Sequence, residues 1–133
     1  MQIMVDANII VSAILFPQSI VAKSVKHIVS NSELTLSQYT IDEIKEVFSK
    51  KFPHRKNEMK IFMEKLPYKL FSLKEIDSKN YPKIRDIDDI PVLANAIESK
   101  VDLLVTGDKD FEEIVIKNPK IMNPRKYIEE YMK

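Results

Sequence analysis

Acidic residues stand at the ends of two apolar segments that are predicted to be strands. Asp6 directly follows the segment 2–5, and Asp108 follows the segment 103–106 after one glycine. The carboxyl ends of parallel strands meet at one edge of a sheet, so both carboxylates are expected in one crevice. Asp89 lies in the first turn of a predicted helix whose apolar face must dock on the sheet, and its carboxylate can reach the same edge.

Three carboxylates in one crevice repel each other unless a divalent cation neutralises them. The chain contains no cysteine and only two histidines, His27 and His54, which are expected at the surface. An all-oxygen set of ligands favours Mg²⁺ or Mn²⁺ over zinc. The inventory also excludes thiol chemistry, and a single glycine excludes a phosphate-binding loop of the GxxxxGK type.

Each aspartate also has a purely structural interpretation, since an aspartate after a strand often caps a helix or forms a turn. For Asp88 we adopt that interpretation and predict the N-cap of the following helix. For Asp6 it is weaker, because Asn8 could cap the helix and leave Asp6 free. The only glycine, Gly107, stands at a strand end and predicts a positive φ or a close approach of another group.

Length and composition suit one domain spanning residues 1–133. The 21 Lys and Arg residues nearly balance the 20 Asp and Glu residues, which gives a net charge of +1. The absence of cysteine, of a leader segment and of a long apolar run predicts a cytoplasmic protein that does not bind membranes.

Strand and helix patterns alternate along the chain in an order close to βαβααβαβα. Strands are predicted at 2–5, 33–36, 69–73, 103–106 and around Ile121, and helices at 9–15, 19–29, 40–52, 55–66, 89–100 and 125–132. Such alternation predicts an α/β fold with a mostly parallel sheet and helices on both faces.

Four motifs in order, which span nearly the whole chain, resemble those of PIN-domain nucleases. They are Val-Asp-Ala-Asn-Ile-Ile at 5–10, Asp-Glu-Ile at 42–44, Arg-Asp-Ile-Asp-Asp at 85–89 with Leu-Ala-Asn-Ala at 93–96, and Val-Thr-Gly-Asp-Lys-Asp-Phe at 105–111. The resemblance is closest to the group described as toxin components of toxin–antitoxin pairs, related to VapC ribonucleases.

The resemblance implies a three-layer α/β/α sandwich that binds Mg²⁺ or Mn²⁺ and cleaves single-stranded RNA by in-line hydrolysis, leaving 5′-phosphate and 3′-hydroxyl ends. It implies catalytic, metal-binding roles for four acids and an outer metal-binding role for a fifth. The four are Asp6, Glu43, Asp89 and Asp108, and the fifth is Asp110. Asn8 and Thr106 match polar positions that would orient the carboxylates. Helical angles alone do not separate Glu43 from Asp42, so its assignment rests on the family match.

Three residues depart from the family pattern. Ala7 stands where many of these toxins have threonine, Asn95 interrupts a run of small residues, and Gly107 replaces a common arginine. None of these changes removes an acid, so the resemblance still implies a metal site.

Contacts with RNA must come from local cations, because the net charge is so small. We expect Arg85 and Lys109 to contact RNA. The basic residues between Lys50 and Lys60 either contact phosphates or form a solvated face. Binding should therefore be weak and sensitive to salt.

The predicted helices 19–29 and 55–66 carry more apolar residues than one buried stripe needs. This excess and the family resemblance predict a homodimer, with a cognate antitoxin protein on the same side of the fold.

Two other functions compete with a nuclease. A catalytically weak PIN-like RNA-binding module would keep the fold, and metal-dependent turnover would separate it from a nuclease. A phospho-acceptor receiver domain requires an aspartate at the end of its middle strand, and the segment 73–75 offers none.

Overall fold

Five short strands form one parallel sheet at the centre of the computed structural model, which describes all 133 residues. They are β1 (Gln2–Val5), β2 (Glu33–Ser37), β3 (Lys69–Phe71), β4 (Leu103–Val105) and β5 (Lys120–Met122). Their order across the sheet is β3-β2-β1-β4-β5, and every neighbouring pair is parallel. The predicted parallel sheet is confirmed.

The two central strands set the position of the residues that follow them. β1 pairs with β4 in a register that places Val5 opposite Val105. The Asp6 backbone N–H continues this ladder by donating to the Val105 carbonyl at 3.0 Å. All three residues of β4 are buried, as expected for a parallel strand covered on both faces.

Helices cover both faces of the sheet. They are α1 (Ala7–Leu15), α2 (Ile20–Asn31), α3 (Gln38–Lys51), α4 (Lys56–Lys65), α5 (Ile90–Glu98) and α6 (Pro124–Tyr131). The larger core packs α1, α2, α3, α4 and α6 against one face, and the smaller core packs α5 against the other. This arrangement confirms the predicted α/β/α sandwich. No single helix is long and apolar enough to cross a bilayer, and only α1 and α2 taken together as a sharply bent pair have the length and composition.

Short polar side chains fix several helix starts. Ser19, Ser37 and Asn123 each accept a backbone N–H from the first turn of α2, α3 and α6, respectively. The start of α6 agrees with the Asn-Pro signal in the sequence.

The predicted N-cap role of Asp88 is wrong. A 3-10 turn at Ile87–Asp89 precedes α5, and the carboxylate of Asp86 caps this turn by accepting the Asp88 N–H at 2.9 Å. Sequence periodicity does not reveal such a turn, because it lacks the apolar repeat of the helix behind it.

Other local expectations also differ from the structure. Asp6, not Asn8, is the N-cap of α1, because its Oδ1 accepts the Ala7 N–H. Gly107 has no positive φ, and a Cβ there would meet Asn8 Oδ1 at an ordinary 3.6 Å. His27 is half-buried, with Nδ1 2.7 Å from the Tyr127 hydroxyl, so its predicted place at the surface is wrong.

Candidate active site

Four acidic side chains line one cavity of about 400 Å³ at the carboxyl edge of β1 and β4. Each comes from a different part of the chain: the end of β1, the second turn of α3, the turn before α5 and the loop after β4. The four are Asp6, Glu43, Asp89 and Asp108. The fold therefore brings together the four acids of the predicted catalytic set.

Asp6 is the most deeply held of the four, with 6% of its surface exposed. Its Oδ2 accepts a hydrogen bond from the Thr106 hydroxyl at 2.7 Å, and its Oδ1 accepts the Ala7 N–H at 2.7 Å. The same Thr106 oxygen accepts the Asp108 N–H at 3.1 Å. One buried hydroxyl thus links the carboxylate at the end of β1 to the backbone of the acid after β4.

Asp108 also has a structural role. Its Oδ1 accepts the Asp110 N–H at 2.9 Å and caps the 3-10 turn Lys109–Glu113. Asn8 makes no hydrogen bond to a carboxylate, and its Oδ1 accepts the Gly107 N–H at 3.2 Å. Thr106 therefore donates a hydrogen bond to a carboxylate, as expected of an orienting residue. Asn8 instead binds the backbone of the loop that carries Asp108.

The structure separates Glu43 from its neighbour on α3. Glu43 lines the cavity, whereas Asp42 is exposed and accepts a hydrogen bond from Gln38 Nε2 at 2.9 Å. Helical angles do not distinguish the two, because both lie away from the apolar stripe. The packing of α3 in the folded protein turns Glu43, and not Asp42, toward the cavity.

Asp89 belongs both to the four acids of the cavity and to a second cluster of acidic residues. One carboxylate oxygen each from Asp86, Asp89 and Asp110 lies within 4.8 Å of the others. Asp110 is thus placed outside the cavity but next to one of its acids. Arg85 Nε lies 3.5 Å from Asp110 Oδ1, and the Arg85 side chain remains 86% exposed. Of the two cations expected to contact RNA, Arg85 therefore lies at the edge of the site, and Lys109 is exposed in the adjoining 3-10 turn.

Burial and mutual repulsion disfavour the charged carboxylates. Burial raises the pKa of Asp6 most, with a smaller contribution from the charge of Asp108, and the hydrogen bond from Thr106 opposes both. Burial and then the charge of Asp6 raise the pKa of Glu43. The pKa of Asp89 rises to about 8, chiefly through burial and then through the neighbouring carboxyl group of Asp108.

The site fits a hard divalent cation on two counts. Glu43 Oε1 and Asp89 Oδ2 are fully buried and have no hydrogen-bond partner. A buried polar atom without a partner is costly, and a cation between the carboxylates would remove that cost together with the repulsion. The donors are all carboxylate oxygens, the ligands preferred by Mg²⁺ and Mn²⁺.

The predicted site includes neither Phe16 nor Tyr39, and Lys51 appears in it only as one of the basic residues between Lys50 and Lys60 that either contact phosphates or form a solvated face. Lys51 and Phe16 line the cavity beyond the acids, and Tyr39 donates its hydroxyl hydrogen to the Asp88 carbonyl at 3.2 Å. The pKa of Tyr39 is raised by burial and then by the nearby carboxylates, first that of Glu43. A signal for Lys51 existed in the sequence, because positions 43, 47 and 51 recur every four residues on one face of α3.

Comparison with known proteins gives one family and one fold. A family model described as "PIN domain" matches residues 2–110. The solved structure of VapBC2 from Rickettsia felis, bound to a DNA fragment from their promoter, contains a chain that superposes with a TM-score of 0.68 at 20% sequence identity. The alignment covers 92% of this chain and 98% of the other. No curated protein matches the sequence.

Proposed function

This chain belongs to the PIN domain family, and we propose from that premise that it is a metal-dependent endoribonuclease acting on single-stranded RNA. The observation that carries the proposal is the convergence of four carboxylates in one cavity, with two buried oxygens that have no partner within the protein. Such a set costs folding free energy and is explained by a ligand of positive charge.

Asp6, Glu43, Asp89 and Asp108 would hold one or two Mg²⁺ or Mn²⁺ ions, with Asp110 at the periphery. A bound divalent cation would polarise the phosphodiester and lower the pKa of an attacking water, as in-line hydrolysis requires. Thr106 holds the Asp6 carboxylate and the Asp108 backbone at fixed positions. Asp89, with its pKa of about 8, must release a proton before it can act as a ligand, and metal affinity should rise with pH.

We further propose that the protein is the toxin of a toxin–antitoxin pair. The likeness to a chain of VapBC2 supports a protein partner. An apolar groove of about 560 Å³ between α2 and α4 supports a shared surface, and its lining includes Val25, Val29, Ile61 and Phe62. This groove matches the apolar excess noted in the sequence and is a candidate surface for the homodimer and the antitoxin.

The test is cleavage of a fluorescent single-stranded RNA in Mn²⁺, in Mg²⁺ and in EDTA. We expect cleavage by the wild type with either ion, none in EDTA, and at most residual cleavage by Asp6→Asn in any condition. Asp42→Asn is the matched control for Glu43→Gln, because the two residues are adjacent on α3 and only Glu43 lines the cavity.

Equal cleavage in EDTA would contradict a metal-dependent nuclease. RNA binding without metal-dependent turnover would favour the alternative, a PIN-like RNA-binding module.

A further inference from the structure

The cavity that holds the four acids continues away from them into an apolar part, which we call the apolar arm. The apolar arm lies between α1 and α3 and is lined by Val11, Leu15, Phe16, Val47, Lys51 and Phe52. It therefore opens directly onto the carboxylates, within one continuous surface.

The aromatic rings of the apolar arm are placed at the ends of two helices. Phe16 is the C-cap of α1, and Phe52 is the C-cap of α3. Phe52 packs against the larger core, but Phe16 does not and remains 61% exposed. The Phe16 ring thus contributes little to the core and presents an apolar surface to whatever enters the arm.

One cation lines the apolar arm, and it has no acidic partner. Lys51 makes no ion pair, whereas the preceding residue, Lys50, is bound to Glu46 at 2.6 Å. Arg55, a few residues further on, is bound to Glu58 at 2.8 Å. Lys51 is therefore the basic residue of this segment that both lines the cavity and keeps its charge available for an anion.

The side chains that line the cavity, from the acids to Lys51, favour one class of ligand. A ligand that extends from the acids along the arm meets a metal-binding end, then apolar and aromatic walls, then a lysine. Single-stranded RNA repeats phosphate and base at each nucleotide, and its unpaired bases can stack on aromatic rings. A duplex keeps its bases paired and cannot offer a base face to Phe16.

We propose that the apolar arm is a nucleotide subsite next to the scissile phosphate. The base stacks on Phe16 beside Phe52, and the phosphate of that nucleotide pairs with Lys51. This inference rests on the proposed function, in which the acidic end of the same cavity is the cleavage centre. Stacking of this kind tolerates any base, so the subsite selects single strands over duplexes and not one sequence over another.

Binding of a fluorescent single-stranded RNA, followed by anisotropy with the whole chain, tests the subsite. Phe16→Ala should weaken binding by about tenfold, within the usual range for loss of one base–aromatic stack. Lys51→Ala should lower the slope of log affinity against log salt by about 0.7, the value for one phosphate contact in a single strand. Ile20→Ala and Lys50→Ala are matched controls, because Ile20 is equally exposed at 63% and neither residue lines the cavity.

A second measurement identifies the stacked base. Replacing the bases of the oligonucleotide one at a time by abasic positions should, at one position, weaken wild-type binding as much as Phe16→Ala does. The Phe16→Ala variant should bind this abasic oligonucleotide no more weakly than the intact one, since the two changes remove the same contact.

These measurements test the subsite and the proposed function independently. If Phe16→Ala and Lys51→Ala bind RNA as the controls do, the subsite is wrong even when the wild type cleaves RNA, and a protein segment becomes the better occupant of the arm. If both variants lose affinity as expected but the wild type never cleaves in Mn²⁺, the subsite stands and the nuclease proposal fails.

Discussion

The two ends of strands β1 and β4 carry aspartates in opposite circumstances. At the amino edge, Asp102 precedes β4 and its Oδ2 accepts the Gln2 N–H at 2.7 Å. Its own N–H donates to the Gln2 carbonyl at 2.8 Å, and its carbonyl accepts the Lys120 N–H at 3.1 Å. This residue ties together β1, β4 and β5.

At the carboxyl edge of the same strands, four acids crowd one cavity, and two of them keep a buried oxygen without a hydrogen-bond partner. Burial and neighbouring charge raise the pKa of Asp6 and Asp89, and one oxygen of Asp89 is buried without a partner. The needs of the fold account for Asp102 but not for this crowding. Acidic residues whose crowding lowers the stability of the folded protein are typical of a functional site.

The largest expected effect is on catalysis. Asp6→Asn or Asp89→Asn should slow RNA cleavage by about a thousandfold or more, because metal-ion catalysis lowers the barrier by several kcal/mol. RNA affinity should stay within roughly tenfold, since binding depends on cations elsewhere. Single-turnover cleavage in Mn²⁺ measures the effect. Asp102→Asn at the opposite edge should cleave at the wild-type rate, and a comparable loss there would erase the distinction between the two edges.

The next largest effect is stabilisation by metal. A divalent ion at 100 times its dissociation constant should add about 2.7 kcal/mol, roughly 10 °C in a domain of this size. Differential scanning fluorimetry with and without Mn²⁺ measures the shift, and EDTA should reverse it. The shift should survive Asp102→Asn and shrink in Asp89→Asn. An unchanged melting temperature in millimolar Mn²⁺ would count heavily against the metal site.

The third effect is a dependence of metal-free stability on pH. The folded pKa of Asp89, about 8, exceeds the unfolded value of 3.8, so the folded state binds more protons between these values. Metal-free stability should therefore fall as pH rises from about 4 to about 8. Asp6 and Glu43, whose pKa values are also raised, act in the same direction. Urea unfolding in EDTA across this range measures it. Asp89→Asn should flatten the profile, and a stability that rises with pH in both proteins would contradict the crowding.

The smallest effects should have opposite signs at the two edges. Asp102→Ala should lower the free energy of unfolding by about 1 kcal/mol, the usual value of one hydrogen bond. Asp108→Asn should raise the stability of the metal-free protein by less than about 1 kcal/mol, because it relieves repulsion and keeps an acceptor for the Asp110 N–H. Urea unfolding of both variants in EDTA compares them. A clear loss in Asp108→Asn would mean that its capping contact outweighs the repulsion.

Much of this arrangement could be predicted from the sequence, because it depends on simple patterns. Apolar strands followed by acids locate Asp6 and Asp108, and the rule for parallel sheets places them at one edge. The Asn-Pro start of α6 and the buried character of β4 are equally local. Each of these features is determined by residues close to it in the sequence.

Features that depend on packing could not be predicted in this way. Whether Glu43 or Asp42 faces the cavity depends on how α3 rotates against the sheet. Asp86 caps the 3-10 turn before α5, and α5 itself begins after Asp89 without a side-chain cap, so Asp88 caps neither element. No periodic pattern in the sequence predicts such a turn. Asn8 contacts a backbone group 99 residues away, which only the folded chain brings within reach.

The hydrogen bond between Thr106 and Asp6 joins residues that are 100 positions apart. During synthesis Asp6 and Glu43 leave the ribosome long before β4 does, and until then neither the bridging hydroxyl nor Asp108 is available. The acidic set can assemble only when this long-range strand pairing closes. A partly translated chain of this protein therefore lacks the complete site, and any activity that depends on it begins only once β4 has taken its place beside β1.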